Sequence, residues 1–151
     1  MNATAHSLED LTLHVTQEIR VRASLDATFA ALLEEIGPSN IGMDGKPMSM
    51  KIEPWPGGRW YRDLGNHDGH LWAHVQAIKR PILLELNGPL FMSYPVISNI
   101  QYRLSESDGE TLIQFRHSGF GLIPPEISKN VSTGWNRLHE RVRQRAEGET
   151  K

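Results

Sequence analysis

Between Pro54 and His74 the chain reads PWPGGRWYRDLGNHDGHLWAH, which combines the pair Gly57-Gly58, three tryptophans, three histidines, and arginines close to aspartates. Three chemistries would use such a set: a phosphate cradle, a metal centre, or one wall of a ligand pocket. A phosphate cradle needs glycines that present backbone N–H groups at the start of a helix. Gly57-Gly58 lies between two strand-like stretches, and neither GxGxxG nor GxxxxGK[ST] occurs. The pair therefore reads as a turn or bulge in which glycine tolerates φ > 0. His67, His70 and His74 would have to converge to hold a metal, yet in a strand His70 and His74 are roughly 13 Å apart at ~3.3 Å per residue. There is no cysteine, and His139-Glu140 is not followed by the second histidine of HExxH. Neither a metal nor a cofactor is expected. Ser118, in RHSGF, lacks the GxSxG elbow, and strand parity sends His117 to the other face, so no catalytic residue is assigned. The pocket wall remains.

A wall needs elements to carry it. LTLHVTQEIRVR, Leu11 to Arg22, alternates Leu11, Leu13, Val15, Gln17, Ile19 and Val21 on one face with polar residues on the other, the pattern of a half-buried strand. Ser24 is placed to cap a helix carrying Phe29, Leu32, Leu33 and Ile36 at helical spacing, which Gly37-Pro38 ends. SMKIEP, RWYRDL, HLWAHVQAIK, ILLELNG, VISNIQYRLS and TLIQFRHS read as antiparallel strands, with Asp68-Gly69 and Asp108-Gly109 suited to tight hairpins. A long final helix follows, with Ile127, Val131, Trp135, Leu138 and Val142 on one face and Pro124-Pro125 at its start. This order has too few crossover helices for a parallel doubly wound sheet. The expected class is α+β: a curved antiparallel sheet wrapped around a long C-terminal helix, one domain over residues 1–151 with its ordered core at about 11–146.

A 151-residue domain can bury roughly 70% of the surface its unfolded chain exposes. The formal charge of -2, with both signs spread along the chain, gives no global reason to expect nucleic acid or an anionic membrane as partner. Arg137, Arg141, Arg143 and Arg145 are interleaved with Glu140 and Glu147 and read as a solvated helix surface. The absence of cysteine suits a reducing compartment. The first residues lack a basic-then-apolar leader, and no apolar run approaches the ~20 residues that span a bilayer. The expected location is cytoplasmic, and the sequons at Asn2 and Asn130 carry no weight there.

The motifs EIRVRASLDATFAALLE, EPWPGGRWYRD, DGHLWAHVQAIKRPILLEL, TLIQFRHSGF and GWNRL span nearly the whole chain. Their order resembles the helix-grip fold of the START/Bet v 1-like superfamily, also called SRPBCC. Within it the chain is similar to the family of activators of heat-shock protein 90 ATPase homologues. The resemblance implies a seven-stranded antiparallel sheet gripping the last helix, around a cavity that in many relatives takes an apolar small molecule. It implies no reaction, because the family carries no shared catalytic residues.

Strand parity then nominates a lining. If Leu64 faces inward, Trp60 and Arg62 follow; Ile113 and Phe115 bring His117, and Ile100 and Leu104 bring Tyr102. The candidate ligand-binding residues are Trp60, Arg62, Tyr102, Phe115, His117 and Trp135. Trp60, Phe115 and Trp135 would supply contact area, Tyr102 and His117 would fix a polar end, and an inward Arg62 would favour a carboxylate or phenolate. The plainer alternative is that Gln17, Arg62, Tyr102 and His117 bond one another or reach the rim, and that the tryptophans are core. The expected partner is a small apolar or amphipathic molecule. A second reading, a co-chaperone or other protein-interaction module, predicts a filled interior and a large exposed apolar patch. A third, an enzyme using His117 or Tyr102 as acid or base, requires a substrate within hydrogen-bond reach. The oligomeric state is left open, a homodimer included.

Overall fold

Alternating side chains and glycine- or proline-marked turns build seven strands and two helices in the computed structural model, which describes residues 7–148; the sequon at Asn2 lies outside the described residues. After a short 3-10 turn at Glu9–Leu11 come β1 (Thr12–Val21), α1 (Leu25–Ile36), β2 (Met50–Ile52), β3 (Arg59–Gly65), β4 (Asp68–Lys79), β5 (Leu83–Gly88), β6 (Val96–Ser107), β7 (Glu110–Gly121) and α2 (Pro125–Ala146). The strands form one antiparallel sheet in the order β1-β7-β6-β5-β4-β3-β2, so the first strand closes against the last. Among the described residues no helix is long and apolar enough to cross a membrane.

Both helices lie on the apolar face of the sheet. Ser24 caps α1 by accepting from the Ala27 N–H at 3.1 Å. At the other end the freed Ile36 carbonyl accepts from the Trp60 indole at 2.8 Å and from the Asn40 amide at 3.2 Å, so a sheet side chain ties down the helix terminus. The core joins Val21, Leu32 and Ile36 to Leu84, Leu86, Ile100 and Ile113 of the sheet, and Val131, Trp135, Leu138 and Val142 of α2 close it. Between the helices, the buried Glu35 carboxylate takes Arg145 at 2.6 Å and Arg141 at 3.3 Å.

Two departures from simple alternation matter. In the β3–β4 ladder Trp60 pairs with Ala73 and Tyr61 with Leu71, so Trp72 is an extra, bulged residue; a second shift follows between Asp63 and Gly65. The bulges cancel the parity that grouped Leu64 with Trp60: Leu64 is 60% exposed and Trp60 only 1%. The hairpin also turns at Asn66-His67, both with positive φ, rather than at Asp68-Gly69, which already belong to β4. Asp108-Gly109 does form the turn between β6 and β7.

Gly57 and Gly58 are explained by backbone contact. Gly57 has φ +82°, and its N–H bonds the Val75 carbonyl while Val75 N–H returns to the Gly58 carbonyl, both at 2.8 Å. A Cβ on Gly58 would stand 1.9 Å from the Glu53 carbonyl oxygen. Gly58→Ala is expected to destabilise the protein by about 2–3 kcal/mol, because only a backbone shift relieves that clash, and Gly57→Ala by about 1 kcal/mol from its positive φ alone. Urea denaturation of the two variants checks this ranking; equal, negligible losses would contradict it.

Candidate functional site

A cleft of about 410 Å³ runs beneath α2. Its floor is the aromatic run Trp60, Trp72 and Phe91, in which successive rings meet edge to face with centroids 5.1 and 5.9 Å apart. The α2 side consists of Ile127, Val131, Gly134, Trp135 and Leu138, with Glu126, Asn130, Arg137 and Arg141 along the rim. The segment after α1 supplies the third side through Ile41, Met43 and Met48. Such a volume and apolar lining suit a small molecule.

Gly134 keeps this space open. It sits in the middle of a 22-residue helix, where glycine costs about 1 kcal/mol relative to alanine. No close approach of backbone demands it, since an added Cβ would meet only Met43 Sδ, at 3.8 Å. The polar features of the wall are few. Trp60 spends its indole N–H on Ile36 and Trp135 on His117, whereas the buried Trp72 Nε1–H has no partner.

Of the six residues nominated from the sequence, Trp60 and Trp135 line the cleft together. Phe115, Tyr102 and His117 stand behind Trp135 as a second layer, with the Phe115 ring 4.8 Å from Trp135 and 4.9 Å from Tyr102. Arg62 is elsewhere: it pairs with His70 past the bulge and borders a separate open depression with Tyr61, His67 and His70, half-buried and with its Nε unpartnered. Sequence reasoning passed over Trp72, which the bulge redirects, and Met43 and Met48, which lie in a segment without periodicity. It also passed over His139, although that residue follows Trp135 by one helical turn and so shares the apolar face of α2.

His139 completes a network whose proton positions follow from its end members. Trp135 Nε1 can only donate, so His117 Nδ1 accepts at 3.0 Å and His117 Nε2–H donates to Ser98 Oγ at 2.9 Å. Gln17 spends its amide N–H on the Ser132 carbonyl at 3.2 Å and its oxygen accepts from His139 Nδ1–H at 2.7 Å. His139 Nε2 is then the acceptor for the Tyr102 hydroxyl at 2.9 Å. Both imidazoles are neutral and satisfied. Burial holds His117 down to about 4 and His139 down to about 3, and pushes the Tyr102 phenol up. Among the described residues no group of three His, Cys, Asp or Glu side chains is placed to hold a metal ion.

These shifts set a pH dependence. The unfolded chain takes up protons at its histidines near pH 6.5, while the folded protein does not until about pH 4 and 3. The contribution is therefore complete above about pH 6.5 and is lost as pH falls toward those values, at about 1.4 kcal/mol per pH unit for each histidine. The urea midpoint is expected to drop steeply between pH 6.5 and 5, before most carboxylates titrate, and His139→Gln should flatten the slope. A midpoint unchanged over that interval would contradict the buried neutral pair.

No family model matches the chain, and no curated protein does. Among solved structures it is similar to CalU16 from Micromonospora echinospora, with 18% identity, 90% of this chain and 77% of that one covered, and a TM-score of 0.63. It is also similar to the Aha1 dimer from Colwellia psychrerythraea, with 15% identity, 92% and 99% coverage and a TM-score of 0.63. Ara h 8.0201 gives 13% identity, 91% and 99% coverage and a TM-score of 0.64. At such identities the likeness bears on fold alone. With its seven-stranded antiparallel sheet and long closing helix, the chain has the helix-grip fold of the Bet v 1-like, SRPBCC proteins.

Proposed function

We propose that the protein binds a small, largely apolar molecule in the cleft between α2 and the sheet. The observation that carries this reading is Gly134: a helix interior gives up about 1 kcal/mol at a position where alanine would fit, and what it gains is open space in the cleft wall opposite Met43. In this reading Trp60, Trp72 and Trp135 contact the ligand directly. Phe115, Tyr102 and His117 hold Trp135 in place. Tyr102 and His117 are engaged in the buried network, which favours binding over acid-base catalysis.

A second reading has an observation of its own. Ile97 and Phe120 face each other across β6 and β7 and are 62% and 50% exposed, with Leu122 and Tyr94 also exposed nearby in the chain. Such a patch fits a protein partner or a second copy, as a protein-interaction module of the type that activates heat-shock protein 90 ATPase would have. Phe120→Glu tests it by sedimentation: a self-associating chain should become monomeric, and an unchanged sedimentation coefficient would remove the homodimer.

The ligand reading is tested with the neutral fluorophore N-phenyl-1-naphthylamine. Its emission should rise and saturate with wild-type protein, and Gly134→Leu should weaken binding at least tenfold while leaving the melting temperature equal or higher, since leucine is a good helix former. Equal binding by the two proteins would place the fluorophore outside the cleft and contradict the proposal.

A further inference from the structure

The charges around the cleft are not evenly distributed. Three ionised side chains line it, Glu126, Arg137 and Arg141, all on α2. Glu126 lies eleven residues before Arg137, about 16 Å along the helix axis at 1.5 Å per residue. Arg137 and Arg141 are one turn apart and share a face. Arg141 Nε bonds Glu35 at 3.3 Å and its Nη2 donates to the Ile41 carbonyl at 3.2 Å, but the same Glu35 carboxylate also takes Arg145. One carboxylate between two guanidiniums leaves that group with a net positive charge. Arg137 adds a second: among the described residues its one polar contact is with Met43 Sδ, 3.9 Å away, and it has no carboxylate partner. The C-terminal end of the cleft is therefore cationic over an apolar floor.

We infer that the cleft selects amphipathic anions, with the apolar body lying between α2 and the Trp60–Trp72 wall and an acidic group, carboxylate or sulfonate, held by Arg137. The inference rests on the reading of the cleft as a ligand site and adds the polarity of the ligand and the residue that recognises it. Arg137, not Arg62, is the anion-recognising arginine, because Arg62 borders a different depression on the β3–β4 hairpin. Met43 fits this role as well as it fits the wall: its thioether is neutral, so the guanidinium beside it stays uncompensated until an anion arrives. Gly134 lies one turn before Arg137, which leaves the ligand body clear beneath the charged group.

Two probes sharing one scaffold separate the charge from the apolar fit: N-phenyl-1-naphthylamine, which is neutral, and 8-anilinonaphthalene-1-sulfonate, which adds a sulfonate. At low ionic strength, fluorescence titration should show Arg137→Gln weakening the sulfonate about five- to tenfold while changing the neutral amine less than about twofold, and added salt should narrow the difference. Arg137→Lys should retain most of the sulfonate affinity, which excludes a mere loss of packing on Met43. Equal effects of Arg137→Gln on the two probes, or none on the sulfonate, would overturn the inference and leave the apolar cleft standing. Failure of the wild-type protein to bind either probe would remove the cleft reading itself.

Discussion

Trp135 gives its indole proton to His117, and one turn later His139 joins Tyr102 to Gln17; these bonds fix the rotation of α2 about its own axis. A long helix held by apolar contact alone can slide or roll by a fraction of a turn at little cost. Directional bonds at two successive turns, the first to β7 and the second to the strands that flank it, β6 and β1, remove that freedom. Everything the cleft presents follows from this setting. With Trp135 and His139 pinned to the sheet, Ile127, Val131, Gly134 and Leu138 face the cleft and Arg137 and Arg141 reach its rim. Glu35 reinforces the arrangement from α1 by holding Arg141 and Arg145.

The same bonds explain why the polar residues of the interior are not the polar residues of the site. Each of Gln17, Ser98, Tyr102, His117 and His139 finds a partner on another element, so their donors and acceptors are consumed in joining α2 to the sheet and β6 to β7. The cleft in front of them is left apolar, with its charge confined to the rim. A molecule entering it would desolvate mainly Trp60, Trp72 and methionine side chains, while an acidic group could remain near water beside Arg137. This division puts a hydrogen-bonded layer behind and an apolar layer in front, and Tyr102, His117 and His139 are each engaged in the layer behind.

Much of the fold was legible because its signals are local. Alternation identified β1, an Asp-Gly pair the turn at Asp108-Gly109, a serine ahead of a helical pattern the Ser24 cap, and helical spacing the apolar face of α2, none with reference to anything distant. The site was legible only in part. Parity reasoning assumes an unbroken ladder, and the bulge at Trp72 breaks it within the segment that drew attention first. The second shift, at Leu64, leaves that side chain in solvent, and Arg62 borders the separate depression on the β3–β4 hairpin. Met43 and Met48 had no pattern to announce them, since their position depends on where the Ile36 terminus is tied down by Trp60 and Asn40. His139 was readable from its spacing to Trp135, but histidine invites a search for metal or catalysis before it invites packing. Arg137 looked like one more cation on a solvated surface; its significance comes from which neighbouring cations share Glu35, a tertiary fact.

The four tryptophans give the cleft its most direct test. Their indole N–H groups produce separate nitrogen–proton correlations in a labelled protein, and they differ in position: Trp60, Trp72 and Trp135 line the cleft, while the exposed Trp55 does not. On titration with N-phenyl-1-naphthylamine the account predicts a large shift of the Trp72 signal, the one buried indole without a partner, with smaller shifts for Trp60 and Trp135 and none for Trp55. A titration that moves Trp55 and leaves Trp72 unchanged would show that the molecule binds on the outside and that the cleft is not the site.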